Sequence, residues 1–194
     1  MIKVAILGAG IGREHLFGYR ALPEHYKVTV MCDLDTKRAV ETTDNDPDIH
    51  IVTDMADVLS DPSIDLIDIC LPPHLHVPVA LKALAVDKNV ICEKPIARSL
   101  AEVDQLEAVM NTSKGLFFPV FQYRYGLGIT QLKALIEAGI TGKALVASAE
   151  THWNRLPSYY DIQWRGTWKG ESGGAILRHA IHARDLLQFR LGPG

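Results

Sequence analysis

The sequence has little of several features that would indicate a specialised class of protein. Only 3 of its 194 residues are cysteines, and their spacings match no zinc or redox motif. No apolar run approaches the length of a membrane-spanning helix, and the net charge of −3 provides no attraction to nucleic acid or to an anionic membrane. We therefore expect a globular protein with buried, reduced thiols, which are typical of the cytoplasm, and without a metal site, a nucleic-acid partner or a membrane partner.

Short apolar runs alternate with helical patterns along the first 121 residues. The runs are rich in Val, Ile and Leu, as expected for strands that are covered on both faces. The predicted strands span residues 2–7, 27–32, 49–52, 66–70, 89–92 and 116–121. This alternation predicts an α/β fold with a Rossmann-type, doubly wound parallel sheet.

The pattern changes after about residue 121. Residues 143–152 alternate two sets of side chains, which predicts one longer strand of a different type. An aromatic-rich loop follows, and then a helix that includes Ile176 and Leu187. A single strand cannot form a sheet. We therefore predict a first domain at residues 1–121 and, at residues 122–194, the beginning of a second domain that is not completed.

A glycine-rich turn follows the first predicted strand, with the sequence Gly8-Ala9-Gly10-Ile11-Gly12. Glycines let the backbone turn tightly and approach a pyrophosphate, which the free N–H groups of a helix N-terminus can bind. The usual spacing is G-x-G-x-x-G, and here the third glycine comes one residue early, so that Arg13 stands in its usual place. By itself the turn is a weak signal of dinucleotide binding.

Asp33 strengthens that signal because it ends the second predicted strand, where an acidic residue holds the ribose hydroxyls of adenosine. No arginine follows it before Arg38 to receive a 2′-phosphate, so NAD is favoured over NADP. The alternative is a generic strand–turn–helix unit with a surface aspartate.

Two further segments follow predicted strands at the same edge of the sheet. After the fourth strand, Leu71 and Pro72 lead to His74 and His76, which could be polar loop residues or could contact a cofactor. After the fifth strand comes Glu93-Lys94-Pro95. A lysine in a crevice can lose its proton near neutral pH, as a general base for an alcohol must. The alternative is a strand-end lysine followed by a turn proline.

Taken in order, these motifs resemble the glucose–fructose oxidoreductase / inositol dehydrogenase / rhizopine catabolism family (Gfo/Idh/MocA). The resemblance covers essentially the whole chain, and the ordered set is more specific than any single motif. Its members are the Gly8–His15 segment, Asp33, Thr53-Asp54, Pro73-His74-Leu75-His76, Glu93-Lys94-Pro95, Tyr123-Arg124-Tyr125, and Gly173-Gly174-Ala175-Ile176-Leu177 leading to His182 and Asp185.

The resemblance implies a Rossmann domain followed by an α+β domain built on an open, mainly antiparallel sheet. It implies hydride transfer between NAD(P) and a secondary alcohol or ketone of a sugar, polyol or related compound. Family members commonly form homodimers or tetramers through that sheet, and they extend well beyond residue 194. Most of the sheet is therefore expected to lie outside these residues.

The resemblance also implies roles for individual residues. Lys94 and His182 would be catalytic. The Lys-Pro peptide bond that corresponds to Lys94–Pro95 is often cis in family members, so a cis bond is expected here. Cofactor binding would involve Gly8, Gly10, Ile11, Gly12, Asp33, Leu71, Pro72, His76, Glu93 and Lys94. Substrate binding would involve Tyr123, Arg124, Trp164, Arg178, His179 and His182.

One departure from the family pattern concerns the substrate. Many polyol dehydrogenases of the family carry an aspartate four residues before the histidine, where Arg178 stands here. Arg178 or His179 could instead bind an anionic or differently shaped substrate. Nearby, Trp153, Tyr159, Trp164 and Trp168 could stack on sugar faces or belong to the core of the absent sheet.

Two other functions stay open from the sequence. The chain could be a dinucleotide-binding module or sensor without catalytic turnover, which the incomplete second domain and Arg178 both favour. It could also keep NAD tightly bound and use it transiently on a sugar, as some relatives of this family do.

Overall fold

The structure, a computed structural model, describes residues 1–171 and 173–192. Backbone contacts divide the chain into two compact units, Met1–Pro119 and Val120–Gly194.

The first unit contains one sheet of six parallel strands in the order β3-β2-β1-β4-β5-β6. This is the order of a Rossmann fold, so the predicted doubly wound α/β sheet is confirmed. The strand ends differ from the predicted ones by no more than two residues. The strands are β1 Ile2–Leu7, β2 Tyr26–Cys32, β3 His50–Val52, β4 Leu66–Ile69, β5 Asn89–Cys92 and β6 Phe117–Pro119.

Five helices connect these strands, and side-chain caps mark the start of three of them. Asp35, Asp54 and Ser99 each accept a hydrogen bond from a backbone N–H in the first turn that follows, which satisfies one of the donors that a helix leaves unpaired there. The helices are α1 Gly12–Arg20, α2 Thr36–Thr42, α3 Met55–Ser60, α4 Pro73–Ala85 and α5 Leu100–Met110. Because α4 begins at Pro73, His74 and His76 lie in its first turn and not in a loop.

Apolar side chains cover both faces of the sheet. On β1, Ala5 and Leu7 belong to one buried cluster, and Val4 and Ile6 belong to the other. Successive side chains of a strand point to opposite faces, so a strand buried on both faces needs an unbroken apolar run. Strand β4 is also buried along its whole length, but it contains one ionisable residue, Asp68, whose side chain is fully buried.

The second unit is helical in its described residues. It contains α6 Leu127–Glu137, α7 Trp168–Glu171, α8 Ala175–Arg178 and α9 Ile181–Leu191, with 3₁₀ turns at Gln122–Tyr125 and Pro157–Tyr160. Across residues 1–171 and 173–192, every helix is too short or too polar to cross a lipid bilayer.

The prediction of a strand at residues 143–152 is wrong. These residues form no regular secondary structure, and Leu145 and Val146 are 87% and 90% exposed. A strand needs a hydrogen-bonded neighbour, and residues 120–171 and 173–192 contain no strand that could serve as one. Alternating side chains show that residues 143–152 could form a strand, but they do not show that a second strand is present to pair with it.

Candidate active site

The predicted cofactor residues gather at the carboxyl edge of the sheet in the first unit. Gly8 follows β1, Asp33 follows β2, Leu71 and Pro72 lie just beyond β4, and Glu93 follows β5. The strand order reverses between the two halves of the sheet at β1 and β4, and ligands of open α/β sheets bind at such a reversal.

The glycine turn has the close packing and the open face that a pyrophosphate site requires. Gly8 has φ +104°, and a Cβ atom there would lie 2.5 Å from the carbonyl oxygen of Cys70. A Cβ atom on Gly12 would lie 2.7 Å from Cγ2 of Ile6. Gly10 is exposed with open space around it, and Ile11 is 48% exposed. The early third glycine thus lets helix α1 start against β1 while the turn stays accessible.

Asp33 ties that turn to the end of β2. One carboxylate oxygen accepts a hydrogen bond from Ala9 N at 2.7 Å, and the other accepts one from Asp35 N at 2.8 Å. A carboxylate oxygen can accept more than one hydrogen bond, so the half-buried Asp33 can still accept from ribose hydroxyls. Arg38 lies 3.8 Å from the carboxylate of Asp35.

His76 joins two loops of this edge. It is 1% exposed, with Nδ1 2.7 Å from the carbonyl oxygen of Pro95 and Nε2 2.7 Å from that of Leu71. Burial lowers the pKa of His76, although the two carbonyl oxygens act in the opposite direction. Both ring nitrogens contact protein carbonyls, so His76 supports the segment around Leu71 and Pro72 and the segment around Pro95.

The Glu93-Lys94-Pro95 segment contains the one cis peptide bond recorded among the described residues, between Lys94 and Pro95. This agrees with what the family resemblance implies. Glu93 is 7% exposed, and its Oε2 accepts a hydrogen bond from the backbone N–H of Lys94 at 3.0 Å. Lys94 is half-buried at the end of β5.

His15 links this segment to helix α1, a contact that the sequence patterns do not predict. Its Nδ1 lies 2.8 Å from Oδ2 of Asp68, and its Nε2 lies 3.2 Å from Oε1 of Glu93. Tyr19, one turn further along α1, donates its hydroxyl to the same Asp68 oxygen at 2.9 Å. Two features of the sequence mark this cluster: an aspartate in the middle of the apolar strand β4, and the place of His15 at the end of the Gly8–His15 segment.

The two carboxylates decide the charge of His15. Burial by itself would lower the pKa of His15, but the hydrogen bonds to Asp68 and Glu93, together with their negative charges, raise it to about 10. Burial would raise the pKa of Glu93, but His15 and Lys94 lower it overall. The charged imidazole ring of His15, between the side chains of Asp68 and Glu93, therefore holds Glu93 in place beside Lys94.

His15, Asp68 and Cys70 have ligand atoms within 4.8 Å of one another, a spacing that a metal ion could use. The chemistry of these groups opposes that use. His15 is protonated at neutral pH, and burial raises the pKa of the Cys70 thiol well above its usual value. Metal ligands must be deprotonated, so this cluster is better described as an internal ion pair.

In the second unit, His182 and Asp185 are buried on α9. The ring of Tyr123 stacks on His182 with centres 4.4 Å apart and planes inclined by 16°. Two nitrogens of the Arg124 guanidinium donate hydrogen bonds to the carboxylate of Asp185, and the Nε–Oδ2 distance is 2.8 Å. The predicted substrate residues Tyr123, Arg124 and His182 are thus neighbours within this unit.

Arg178 and His179 belong to a separate aromatic cluster of the second unit. Arg178 pairs with the buried carboxylate of Glu171 and donates to the hydroxyl of Tyr159. His179 packs edge-on against Trp153, with ring centres 5.1 Å apart. The predicted residue Trp164 lies beside Arg165, whose guanidinium carbon is 5.4 Å from its ring centre.

Comparison with known proteins identifies the family. Residues 2–121 match the family model described as an oxidoreductase family with an NAD-binding Rossmann fold. Residues 129–193 match the Gfo/Idh/MocA C-terminal domain.

Three relatives illustrate the range of the family. The inositol 2-dehydrogenase of Salmonella typhimurium is 29% identical over 98% of this chain and 54% of its own length. The levoglucosan dehydrogenase of Pseudarthrobacter phenanthrenivorans is 25% identical over 98% of this chain and 51% of its own length. The WlbA dehydrogenase of Bordetella pertussis, solved with NADH and UDP-GlcNAcA, superposes with a TM-score of 0.90 at 25% identity, over 99% of this chain and 56% of that one.

This chain thus spans about half the length of the curated relatives it matches. One family model covers more than half of the sequence, and its NAD-binding Rossmann description agrees with the strand order and the glycine turn. The chain therefore belongs to the Gfo/Idh/MocA family of oxidoreductases.

Proposed function

We propose that the protein is an NAD-dependent oxidoreductase that transfers a hydride between nicotinamide and a secondary alcohol or ketone of a sugar or polyol. One observation carries this proposal. The glycine turn, Asp33 and the Glu93-Lys94-Pro95 segment lie at the same carboxyl edge of one parallel sheet. That edge therefore combines the parts of a dinucleotide site with a lysine that can exchange a proton.

NAD would be held by the residues around the strand reversal. The backbone at Gly8, Gly10, Ile11 and Gly12 would receive the pyrophosphate, and Asp33 would bind the adenosine ribose. Leu71 and Pro72 would border the cofactor, with His76 supporting them from behind. NAD is favoured over NADP because the negative charge of Asp33 opposes a 2′-phosphate.

When bound, NAD supplies the hydride acceptor or donor. Lys94 would take the hydroxyl proton of the alcohol, or polarise its oxygen while His182 takes the proton. Glu93 would keep the backbone of Lys94 in place. Tyr123, Arg124, Trp164, Arg178 and His179 would help to hold the substrate, as the family resemblance implies. The chemistry of the relatives, which include dehydrogenases of inositol and levoglucosan, supports a sugar or polyol as the substrate.

We further propose that residues 1–121 form the cofactor domain and that residues 122–194 begin the substrate domain. The complete protein would act in the cytoplasm as a homodimer or tetramer, and the buried free thiols of Cys32, Cys70 and Cys92 are consistent with a reducing compartment.

A non-catalytic dinucleotide-binding module is the second candidate. It is favoured by the second unit, because residues 120–171 and 173–192 contain no strand of a substrate-binding sheet. In that case the chain would bind NADH but would not oxidise any alcohol.

Cofactor binding is tested first, by following NADH fluorescence during titration with the protein. We expect Asp33→Asn to weaken NADH binding about tenfold or more, since it removes charge-assisted hydrogen bonds to the ribose. Asp35→Asn is the matched control, because asparagine still caps α2 and the affinity should stay unchanged. Equal NADH affinity of the wild-type protein and Asp33→Asn would contradict the cofactor site.

Turnover is tested next, by NADH absorbance with NAD and a panel of polyols, sugars and sugar acids. We expect Lys94→Ala to abolish turnover and to change NADH affinity far less. Lys82→Ala, an exposed lysine of α4, is the control and should remain active. NADH binding without turnover on any substrate would favour the non-catalytic module, and full activity of Lys94→Ala would exclude the catalytic role of this lysine.

A further inference from the structure

Three arginine side chains surround the ring of Tyr159 in the second unit. The guanidinium carbons of Arg165, Arg155 and Arg178 lie 4.0, 4.7 and 5.3 Å from the ring centre. Each is close enough for a cation–π interaction. Such an arrangement concentrates positive charge, because the ring attracts the cations but cannot neutralise them.

The surrounding residues only partly balance this charge. Glu171 pairs with Arg178. In the part of the chain that the structure describes, no carboxylate oxygen lies within ion-pairing distance of Arg155 or Arg165. The Nε of Arg155 lies 3.4 Å from Nε2 of His179, to which it can donate a hydrogen bond. Among the described residues, two of the three guanidinium groups around Tyr159, those of Arg155 and Arg165, therefore have no carboxylate partner, and positive charge accumulates there.

A cavity of about 400 Å³ opens beside this charge. Arg155 and Arg178 line it together with the aromatic residues Trp153, Tyr160 and Trp168. The volume falls within the range of small-molecule sites. Trp168 is 81% exposed and Trp153 is 47% exposed, so both rings are available to a ligand. Aromatic rings offer flat apolar faces, and guanidinium groups match the geometry of carboxylates and phosphates.

We propose that this cavity binds an anionic carbohydrate, with the aromatic rings against the sugar and Arg155 on its carboxylate or phosphate. Arg178 is already paired with Glu171, so its part is to orient the cavity wall and Tyr159. This inference rests on the proposed sugar-oxidising function and narrows its substrate to sugars that carry a negative charge. It also gives Arg178 a role in a protein that lacks the aspartate common at that position among polyol dehydrogenases.

Tryptophan fluorescence can test this binding without any cofactor or turnover. All 3 tryptophans of the chain lie at positions 153, 164 and 168, in and beside the cavity. The wild-type protein is titrated with D-glucuronate, D-glucose 6-phosphate and neutral D-glucose, and inorganic phosphate serves as an anion without a sugar. We expect at least one of the two anionic sugars to bind about tenfold or more tightly than glucose, and more tightly than phosphate. The stronger of the two identifies carboxylate or phosphate as the anion.

Variants then locate the anion. Arg155→Met should remove the preference for the anionic sugar, while Arg155→Lys should keep part of it, because lysine retains the charge but not the two-pronged geometry. Arg165→Met is the matched control: it removes the same charge from the same ring, but Arg165 does not line the cavity. This variant should keep most of the preference. Circular dichroism establishes that each variant is folded.

Two results would overturn the proposal. The first is that glucose or phosphate binds to the wild-type protein as tightly as the anionic sugars. The second is that folded Arg155→Met still binds the anionic sugar more tightly than glucose by the same factor as the wild-type protein. The proposed function fails independently, through NADH titration and the Asp33→Asn variant, whose site lies in the first unit.

Discussion

The two units bury different kinds of side chain. In the first unit, the buried side chains are mostly apolar and form two clusters, one on each face of the sheet. Among the described residues of the second unit, the buried side chains are Glu171, His182 and Asp185, and both carboxylates are paired with arginines. Many of its large apolar residues, such as Leu127, are exposed, and a cavity of about 780 Å³ lies beside its helix α6.

This difference shows which forces stabilise each unit. Burying a large aliphatic side chain contributes about 1.5–3 kcal/mol, so the first unit can be stable through its core. An ion pair must first compensate the loss of hydration of its charges, so we expect the pairs of the second unit to stabilise it less than an apolar core would. The first unit also contains a buried ionic cluster, formed by His15, Asp68 and Glu93. Its contribution to stability can therefore be compared with that of the apolar core in the same unit.

The largest effect is expected at that cluster. His15→Ala leaves the carboxylates of Asp68 and Glu93 buried without their shared cation, so the free energy of unfolding of the first unit should fall by about 3–5 kcal/mol. Urea denaturation measures it. His25→Ala is the control, because His25 also lies near a carboxylate but is 66% exposed. Equal stability of the two variants would mean that the cluster does not stabilise the fold.

A pair of apolar truncations compares the two units directly. Ile67 of β4 is fully buried, so Ile67→Ala should lower the free energy of unfolding by about 2–5 kcal/mol. Leu145 is 87% exposed, so Leu145→Ala should change it by less than about 0.5 kcal/mol. Thermal and urea unfolding measure both. A large loss from Leu145→Ala would show that the second unit has an apolar core that involves this residue.

The stability of the first unit should depend on pH through His15. Its pKa is about 10 in the folded protein and 6.5 without these contacts, so the folded state binds the proton more tightly. The stabilisation is therefore complete below about pH 6.5 and is lost as the pH rises toward 10. Between pH 7 and 10, wild-type protein should lose at least about 1.4 kcal/mol more than His15→Gln does. Parallel pH profiles of unfolding for the two proteins would contradict this coupling.

The smallest effect is expected in the second unit, at the Arg124–Asp185 pair. Arg124→Met leaves the nearly buried Asp185 without its cation, but Arg124 is itself 31% exposed, so a loss of only about 1 kcal/mol is expected. Hydrogen exchange of the backbone amides of α9 measures this local opening. Lys133→Met removes an exposed pair on α6 and should leave exchange in that helix almost unchanged. If both variants changed hydrogen exchange in their own helix equally, the burial of Asp185 would add nothing to the strength of its ion pair.

Sequence patterns predicted the first unit well because the relevant signals are local. Val, Ile and Leu runs predict strands buried on both faces, and a glycine turn after the first strand predicts a phosphate-binding loop. Since parallel strands end at one edge, Asp33 and Lys94 could be placed there without knowledge of their contacts. The strand prediction at residues 143–152 failed because pairing is not a local property. Alternation along one segment does not reveal whether a neighbouring strand exists.

By itself, the sequence determined the strand–helix alternation, the cofactor turn and the acid and lysine at strand ends, since each depends on residues close together in the chain. Only the tertiary structure decided that His15 bridges Asp68 and Glu93, that His76 joins two loops, and that three arginines meet at Tyr159. These contacts depend on which elements become neighbours in the fold. At His15 the neighbours also set the charge, because a desolvated cation is stable only beside partners of opposite charge.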